Sequence, residues 1–395
     1  MPSENTTRNI SDRMAKRMAD VETMILKRIG ARIHAAKELL PSDASTIARL
    51  KDIGSDVAEI NTFLMRQTAL NQAELEDIYR LAAEENLYFA KRFYEVQNIP
   101  YIPYEDNLPL QRIVKAQAEI TGNTFENLSQ TTVINAGGLD RKDKFLPIKQ
   151  AYTKIVDDSI QAVSTGVSNY NKETHNIVAA MARSGLRTVE YASGRKRRLD
   201  SAVRMNIIDG VRQVNFQVDK QIGTDIGANG YELSAHMTCA PDHLPMQGRQ
   251  FSEAEFNNLQ TGQGSRDYQG HEYEGIQRPF MQWNCRHFAR SCLLGIDKPV
   301  WSDEALEQLK EDNEKKIEID GKEYTVYEAS QLMRRVETYI RQAKNEFVAY
   351  EASGEPDAAL AARAKATSLT SAYERIARMA NEKMRYARIR VPGYR

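Results

Sequence analysis

Side chains that can ligate a metal or transfer a proton are concentrated in one stretch of this chain, between residues 231 and 301. Within the 395 residues, this stretch contains all three cysteines and four of the six histidines. They are Cys239, Cys285, Cys292, His236, His243, His271 and His287. Glycine-marked turn regions at 262–264 and 270–275 exclude one continuous helix here. The stretch therefore has to form a compact, irregular body between the segments that flank it.

The flanking segments have the composition and the apolar spacing of amphipathic helices. Helices are predicted at 10–40, in a second segment that ends near residue 70, and in a third that begins at Asn71. The helical pattern resumes near residue 110, pauses at 137–138, and is strong over 200–222. Two long C-terminal helices are predicted at 327–350 and 358–388. Pro100 and Pro103 forbid helix between the third helix and residue 110, and they favour an extended strap.

Two short hairpins interrupt this helical pattern. The run 185–191 is followed by Ser193-Gly194 and then by 195–198, which is typical of two strands joined by a tight turn. Asp320-Gly321 lies between two short alternating runs and is the strongest short-range hairpin signal in the chain. These features predict a mainly α protein with a small α+β central domain, in which long helices flank a compact core containing short β-hairpins.

Breaks in the pattern divide the chain into four predicted parts. Residues 1–98 form an N-terminal helical region, and residues 99–184 form the strap and a further helical region. Residues 185–301 form the central α+β domain with the His and Cys motifs. Residues 302–395 contain the second hairpin and the C-terminal long helices.

Bulk composition excludes several classes of protein. The formal net charge is zero, so no global field draws the chain to nucleic acid or to an anionic membrane. Three cysteines imply no paired disulfide framework and favour a reducing compartment. The first 20 residues are polar and lack the apolar run of a secretory signal, and no window has the length of apolar sequence that a membrane span needs.

Two motifs in the central stretch are far more restrictive than its composition. The first is Ser234-Ala-His followed by Pro241-Asp-His and Gln247-Gly, and the second is Asn284-Cys-Arg-His. This pairing resembles the phage minor capsid protein 2 family, whose members are related to the Mu F-like head morphogenesis proteins. The specific resemblance covers roughly residues 185–346. An arginine often lies between the first His and the Pro in that family, whereas this chain has Ala240.

The resemblance implies a structural minor capsid protein of a tailed bacteriophage. Such a protein is made in the host cytoplasm and is located in the virion, inside the head near the portal. It would take part in head assembly or genome delivery. The expected partners are the portal protein or the major capsid protein, with packaged DNA as a further candidate.

The motif residues are predicted to form a buried polar network that organises turns, and none of them is assigned a catalytic role. Buried polar groups need hydrogen-bond partners, which makes such a network the simplest use of these side chains. The predicted network comprises His236, Pro241, His243, Gln247, Gly248, Asn284, Cys285, Arg286 and His287.

A zinc site is the alternative use of the same segments. Zn²⁺ accepts two thiolates and two imidazoles in a tetrahedral site. Here the set would be Cys239, His243, Cys285 and His287, although the spacing within each pair is not the usual one. The sequence therefore predicts no cofactor, and zinc remains as the alternative.

Two further alternatives follow from the charged and polar residues. An enzyme domain carried in the virion would be a metal-dependent nuclease or a nucleotidyl- or ADP-ribosyl-type transferase. His236, Asp242, His243 and Cys285 could supply its base or nucleophile, but no known signature of either class is complete.

The run Arg195, Lys196, Arg197 and Arg198 is either a solvated turn or a contact for DNA phosphate or an acidic partner.

Overall fold

A computed structural model of the chain describes residues 4–37, 57–67, 72–137, 144–165, 170–189, 194, 196–282 and 285–394. Within these residues long helices dominate and the sheets are small and antiparallel, so the predicted fold class is confirmed. None of the described helices has the length and the apolarity that crossing a bilayer would require. Asn71, the predicted start of the third helix, lies outside the described residues.

The N-terminal half contains helices α1 (Glu4–Lys37), α2 (57–67), α3 (Gln72–Val96), α4 (Leu108–Gln130), α5 (Ile148–Thr165) and α6 (Tyr170–Ser184). The strap predicted around Pro100 and Pro103 is present in the link between α3 and α4, which is irregular around the prolines and then forms one 3-10 turn at Tyr104–Asp106. At the end of this link the side chain of Asn107 caps α4 by accepting a hydrogen bond from the N–H of Leu110.

A four-stranded sheet interrupts this helical half. Its strands are β1 (Thr132–Asn135), β2 (Phe145–Pro147), β3 (Arg187–Val189) and β4 (Lys196–Arg198), and their order is β2-β1-β3-β4. The hairpin predicted around Ser193-Gly194 is confirmed by the antiparallel pairing of β3 with β4, in which Arg187 lies opposite Arg198. Strands β1 and β2 were not predicted, because runs of four and three residues are too short to show a strand period by themselves.

Helix α7 (Leu199–Asp225) carries the chain from this sheet to the central domain. That domain contains β5 (Gly230–Leu233), β6 (Gln250–Ser252), α8 (Glu253–Thr261), β7 (Ser265–Arg266), β8 (Glu272–Tyr273) and β9 (Ala289–Cys292). The strand order β6-β5-β9 places β5 in the middle of a three-stranded antiparallel sheet. Strands β7 and β8 form a separate two-stranded pair.

The C-terminal part contains α9 (Asp303–Glu314), β10 (Lys316–Ile319), β11 (Lys322–Thr325), α10 (Val326–Ala352), α11 (Pro356–Met379) and α12 (Tyr386–Ile389). The Asp320-Gly321 hairpin is confirmed, and both turn residues have positive φ, as the tight primed turn requires. The prediction of a single helix at 358–388 is wrong. The helix ends at Met379, the chain turns through Asn381 with a φ of 51°, and α12 follows.

Three apolar clusters hold these elements together. The largest contains buried side chains from α1, α3 to α7 and α10, and so draws on all four predicted parts of the chain. A smaller cluster fills the central domain, and a third lies between the β10–β11 hairpin, α10, α11 and α12. The three predicted boundaries between these parts remain predictions.

Buried charges also connect distant parts of the frame. Glu22 of α1 accepts hydrogen bonds from the N–H of Leu186 at 2.8 Å and from Arg198 at 2.7 Å. Arg198 also bonds Asp200 at 3.2 Å, and Asp200 pairs with Arg341 of α10. Burial by itself would raise the pKa of Asp200, but the charges and hydrogen bonds of Arg341 and Arg198 lower that pKa below its usual value.

Substituting Asp200 by Asn should lower the free energy of unfolding by about 3–5 kcal/mol at pH 7, because two buried guanidinium groups lose a shared carboxylate. Since the folded pKa is depressed, the contribution of Asp200 is present above about pH 4 and is lost as the pH falls through the folded pKa. Urea unfolding at pH 7 and at about pH 3 should therefore show a smaller pH dependence for Asp200→Asn than for the wild type.

Asp320→Asn is the matched control. Its carboxylate pairs with Arg375 at 2.9 Å on the surface, where both side chains are more than half exposed. Asn tolerates the positive φ of this turn, so the change should cost less than about 1 kcal/mol. Equal losses for Asp200→Asn and Asp320→Asn would show that the buried network does not stabilise the frame.

Candidate functional site

The three-stranded sheet brings the two sequence motifs to the same place. Leu233 at the end of β5 lies opposite Ala289 at the start of β9, and Glu232 lies opposite Gln250 at the start of β6. The segment that leaves β5, residues 234–249, and the segment that enters β9, residues 274–288, therefore meet at one edge of the sheet. The Ser234 N–H donates to the carbonyl oxygen of Phe288, and the Ser234 hydroxyl accepts from the Phe288 N–H, which closes the junction.

Within the first segment, a helix-like run of turns presents two side chains to the same side. The N–H of Leu244 donates to the carbonyl oxygen of Ala240, and the N–H of Gln247 donates to that of His243, each four residues earlier. His243 and Gln247 are thereby spaced as on one face of a helix, and both are buried. Gly248 ends the run with a φ of 73°, which favours glycine.

Arg278 anchors the second segment against the first. Its guanidinium bonds the carboxylate of Asp242 and donates to the hydroxyl of Tyr327 at 3.3 Å. Its carbonyl oxygen accepts a hydrogen bond from His243 Nε2. Because a carbonyl can only accept, Nε2 of His243 carries the proton and Nδ1 carries the lone pair.

His243, Cys285 and His287 converge in the interior of this junction. Cys285 Sγ lies 3.7 Å from His243 Nδ1 and 3.4 Å from His287 Nδ1. One ligand atom from each of the three residues lies within 4.8 Å of the other two. The side chains are 3%, 8% and 2% exposed, so solvent is nearly excluded. We call these three residues the His-Cys-His cluster.

Cys239, the fourth member of the predicted zinc set, lies on the other side of the His287 ring. Its Sγ is 3.5 Å from His287 Nε2, whereas Cys285 faces Nδ1 of the same ring. Gln247 Oε1 also lies 3.4 Å from His287 Nε2. The four predicted ligands are thus neighbours, but only three of them are grouped around one point.

Aromatic packing fixes the orientation of the two cluster imidazoles. Phe280 stacks on His243 with ring centroids 4.2 Å apart, and His236 lies 4.4 Å from His287. Phe280 was not among the predicted site residues, although it lies only four residues before Asn284 in the sequence. Its position could not be found from sequence, because an apolar residue in a loop has no periodic pattern to mark it.

Burial sets the protonation of the cluster. It lowers the pKa of His243, and it lowers the pKa of His287 well below the usual value for histidine. The charges of His236 and His243 lower the pKa of His287 further. Burial raises the pKa of the Cys285 thiol, and backbone hydrogen bonds only partly oppose it. The pKa of the Cys239 thiol is also raised by burial. Two neutral imidazoles therefore face a protonated thiol, which is a poor nucleophile.

Hydrogen bonds alone can satisfy this arrangement. The Cys239 thiol can donate to His287 Nε2, and His287 Nδ1–H can then donate to Cys285 Sγ. The Cys285 thiol can donate to His243 Nδ1, and His243 Nε2–H donates to the carbonyl oxygen of Arg278. The distances suit bonds to sulfur, and every polar atom along this relay then has a partner. The same atoms are also the kinds of ligand that Zn²⁺ prefers.

The other predicted site residues lie around this cluster. His236 donates its backbone N–H to Gln247 Oε1 at 3.1 Å, and Arg286 donates to the Thr238 hydroxyl at 3.2 Å. Pro241 is exposed at the start of the turn run. Asn284 lies outside the described residues.

The fold places the residues of the predicted basic contact in different environments. Arg198 is buried and pairs with Glu22 and Asp200, so its guanidinium faces the interior. Arg197 is partly buried and its guanidinium lies 3.1 Å from the Met205 sulfur. Lys196 is exposed and lies over the ring of Phe145, and Arg195 lies outside the described residues. The run therefore does not present a row of four free cations.

Comparison with known proteins gave one match. The family model described as "Phage minor capsid protein 2" matches residues 3–375 of this chain. A search of the curated proteins and a search of the solved structures each found no match.

The close packing of Gly248 against α9 gives a test of the junction. A Cβ built at Gly248 would lie 2.4 Å from the Leu306 side chain. Overpacking in Gly248→Ala should therefore lower the free energy of unfolding by about 1–3 kcal/mol, in addition to the cost of a positive φ. Gly321→Ala is the matched control, because Gly321 has a φ of 75° and a Cβ there would meet nothing within 4 Å. Urea unfolding should show a larger loss for Gly248→Ala; equal losses would mean that α9 does not pack on the junction as described.

Proposed function

This chain belongs to the phage minor capsid protein 2 family, and on that premise we propose that it lies inside the phage head near the portal vertex and acts in head assembly or genome delivery. The family match carries this proposal, because it extends over nearly the whole chain and not over the central motifs alone. A minor capsid protein is a component of the virion, and its function depends on surfaces that contact other virion proteins.

An exposed apolar face on α3 supports such a contact. Leu81, Tyr88, Phe89 and Val96 are between 46% and 77% exposed. At about 100° per residue, these four positions fall within about 100° around the helix axis. The opposite side of α3 packs into the largest apolar cluster, so the exposed residues are not needed for that core. We call these four residues the α3 apolar face.

An apolar stripe on a rigid helix is suited to helix-in-groove docking on another protein. Single exposed apolar residues are common on protein surfaces, but several large ones on one side of a helix are typical of an interaction site, and here Glu85 and Arg92 lie in the same arc as these four. The partner in this proposal is the portal protein or the major capsid protein. The ring contact between Tyr88 and Phe89, with centroids 6.1 Å apart, gives the face a large aromatic centre of the kind that dominates interface energies.

Portal association can be tested with procapsids assembled with and without the portal protein. If the chain is located at the portal vertex, quantitative mass spectrometry should find it at low copy number in complete procapsids and strongly depleted in shells that lack portal. Protease treatment of intact procapsids should leave it uncut. Equal content in both kinds of shell would contradict the portal location, and absence from procapsids and virions would contradict the assembly role.

The α3 apolar face can be tested with the double substitution Tyr88→Ser and Phe89→Ser. Loss of two aromatic anchors should reduce incorporation into procapsids at least about 10-fold. The control is Leu360→Ser with Tyr386→Ser, since these residues are 61% and 65% exposed on other helices. Both proteins should keep the wild-type circular dichroism spectrum. Incorporation of the Tyr88 and Phe89 variant at the wild-type level would exclude this face as the docking surface.

A further inference from the structure

We infer that the His-Cys-His cluster of His243, Cys285 and His287 binds one transition-metal ion, and that Zn²⁺ suits its chemistry best. The inference rests on the geometry of the central domain and does not depend on where the protein lies in the virion. Such an ion would join the segment that leaves β5 to the segment that enters β9.

The distances within the cluster are those of a metal coordination polyhedron. In a tetrahedral Zn²⁺ site with bonds of about 2.3 Å to sulfur and about 2.0–2.1 Å to nitrogen, a sulfur and a nitrogen ligand lie about 3.5 Å apart. Here Cys285 Sγ lies 3.7 Å from His243 Nδ1 and 3.4 Å from His287 Nδ1. The two sulfur–nitrogen distances therefore match those of such a site, and all three ligand atoms lie within 4.8 Å of one another.

The orientation of His243 is also that of a metal ligand. Metal-bound histidines usually donate their other ring N–H to a carbonyl or carboxylate oxygen, and this fixes the tautomer. His243 donates Nε2–H to the carbonyl oxygen of Arg278, which leaves the Nδ1 lone pair facing Cys285. Phe280 stacks on the ring and holds it in this orientation.

His287 has the same arrangement around its own ring. Its Nδ1 faces Cys285, and its Nε2 faces the amide oxygen of Gln247 at 3.4 Å. One thiolate with two imidazoles suits Zn²⁺ or Co²⁺, whereas Mg²⁺ and Ca²⁺ require oxygen ligands.

A structural ion has a clear use in this part of the molecule. Among the described residues, the apolar cluster of the central domain contains eleven buried ones, and the two segments that meet here consist of turns and irregular backbone. A small core is often supplemented by a metal, because binding free energy then contributes to folding. Three protein ligands fill three tetrahedral positions. Cys239 is not one of them, since its thiol lies on the opposite side of the His287 ring.

The first experiment measures metal in the full-length chain, purified without a histidine tag or chelator. Elemental analysis should find about one zinc per chain. Exchange of zinc for Co²⁺ should produce a thiolate-to-cobalt charge-transfer band together with the intense visible bands of tetrahedral cobalt. No metal after purification, and no such bands when Co²⁺ is added to the folded protein, would show that the cluster is the hydrogen-bonded relay alone.

Substitutions then assign the ligands. Cys285→Ser should abolish the charge-transfer band, and His243→Ala or His287→Ala should weaken Co²⁺ binding at least about 100-fold. Cys292→Ser is the matched control, because Cys292 is a buried thiol in β9 of the same domain and is not part of the cluster. Cys239→Ser should also keep the band. Loss of the band in Cys292→Ser, or in Cys239→Ser as fully as in Cys285→Ser, would overturn this set of ligands.

A chelator gives a readout that does not depend on the folding of any variant. Removing the ion from the wild-type chain should lower the midpoint of thermal unfolding of the central domain, and added Zn²⁺ should restore it. Chelation should leave the unfolding of Cys285→Ser unchanged. An unfolding midpoint of the wild type that does not respond to chelator or to Zn²⁺ would contradict a structural ion at this position.

Discussion

The buried carboxylate of Glu22 is the point at which the helical frame is fixed. It accepts hydrogen bonds from Leu186, Arg198 and Asn345, residues that are far apart in the sequence. Because buried charges are stable only when they are paired, this contact sets α1, the start of α7 and α10 in one relative position. The packing is close enough that a Cβ at Gly185 would lie 2.6 Å from the Glu22 carboxylate. The frame thus depends on charge pairing as well as on apolar packing.

Helix α7 transmits this fixed geometry to the central domain. Asp219, near its C-terminal end, accepts hydrogen bonds from both the N–H and the hydroxyl of Ser291 in β9. Strand β9 pairs with β5, and the two motif segments meet at the edge where these strands join. The His-Cys-His cluster is therefore held by a continuous series of contacts that begins in the helical frame.

The proposed docking surface and the proposed ion site are distinct parts of the molecule with different physical requirements. The α3 apolar face is exposed, so the free energy of burying it becomes available only when another protein covers it. The His-Cys-His cluster is buried, and its interactions stabilise the fold of one chain. In the two proposals, exposed apolar area serves association and buried polar ligands serve folding.

Local patterns in the sequence determined the helical character of the chain, the two hairpins and the two motif segments of the central domain. These follow from apolar periodicity and turn chemistry, which act over a few residues. Tertiary structure alone decided that strands β1 and β2 form, that Arg198 is buried against Glu22, and that Cys239 and Cys285 lie on opposite sides of His287. Each of these depends on contacts between residues far apart in the chain, and a spacing of residues along a sequence does not specify on which side of a ring, or on which face of a helix, a distant residue will lie.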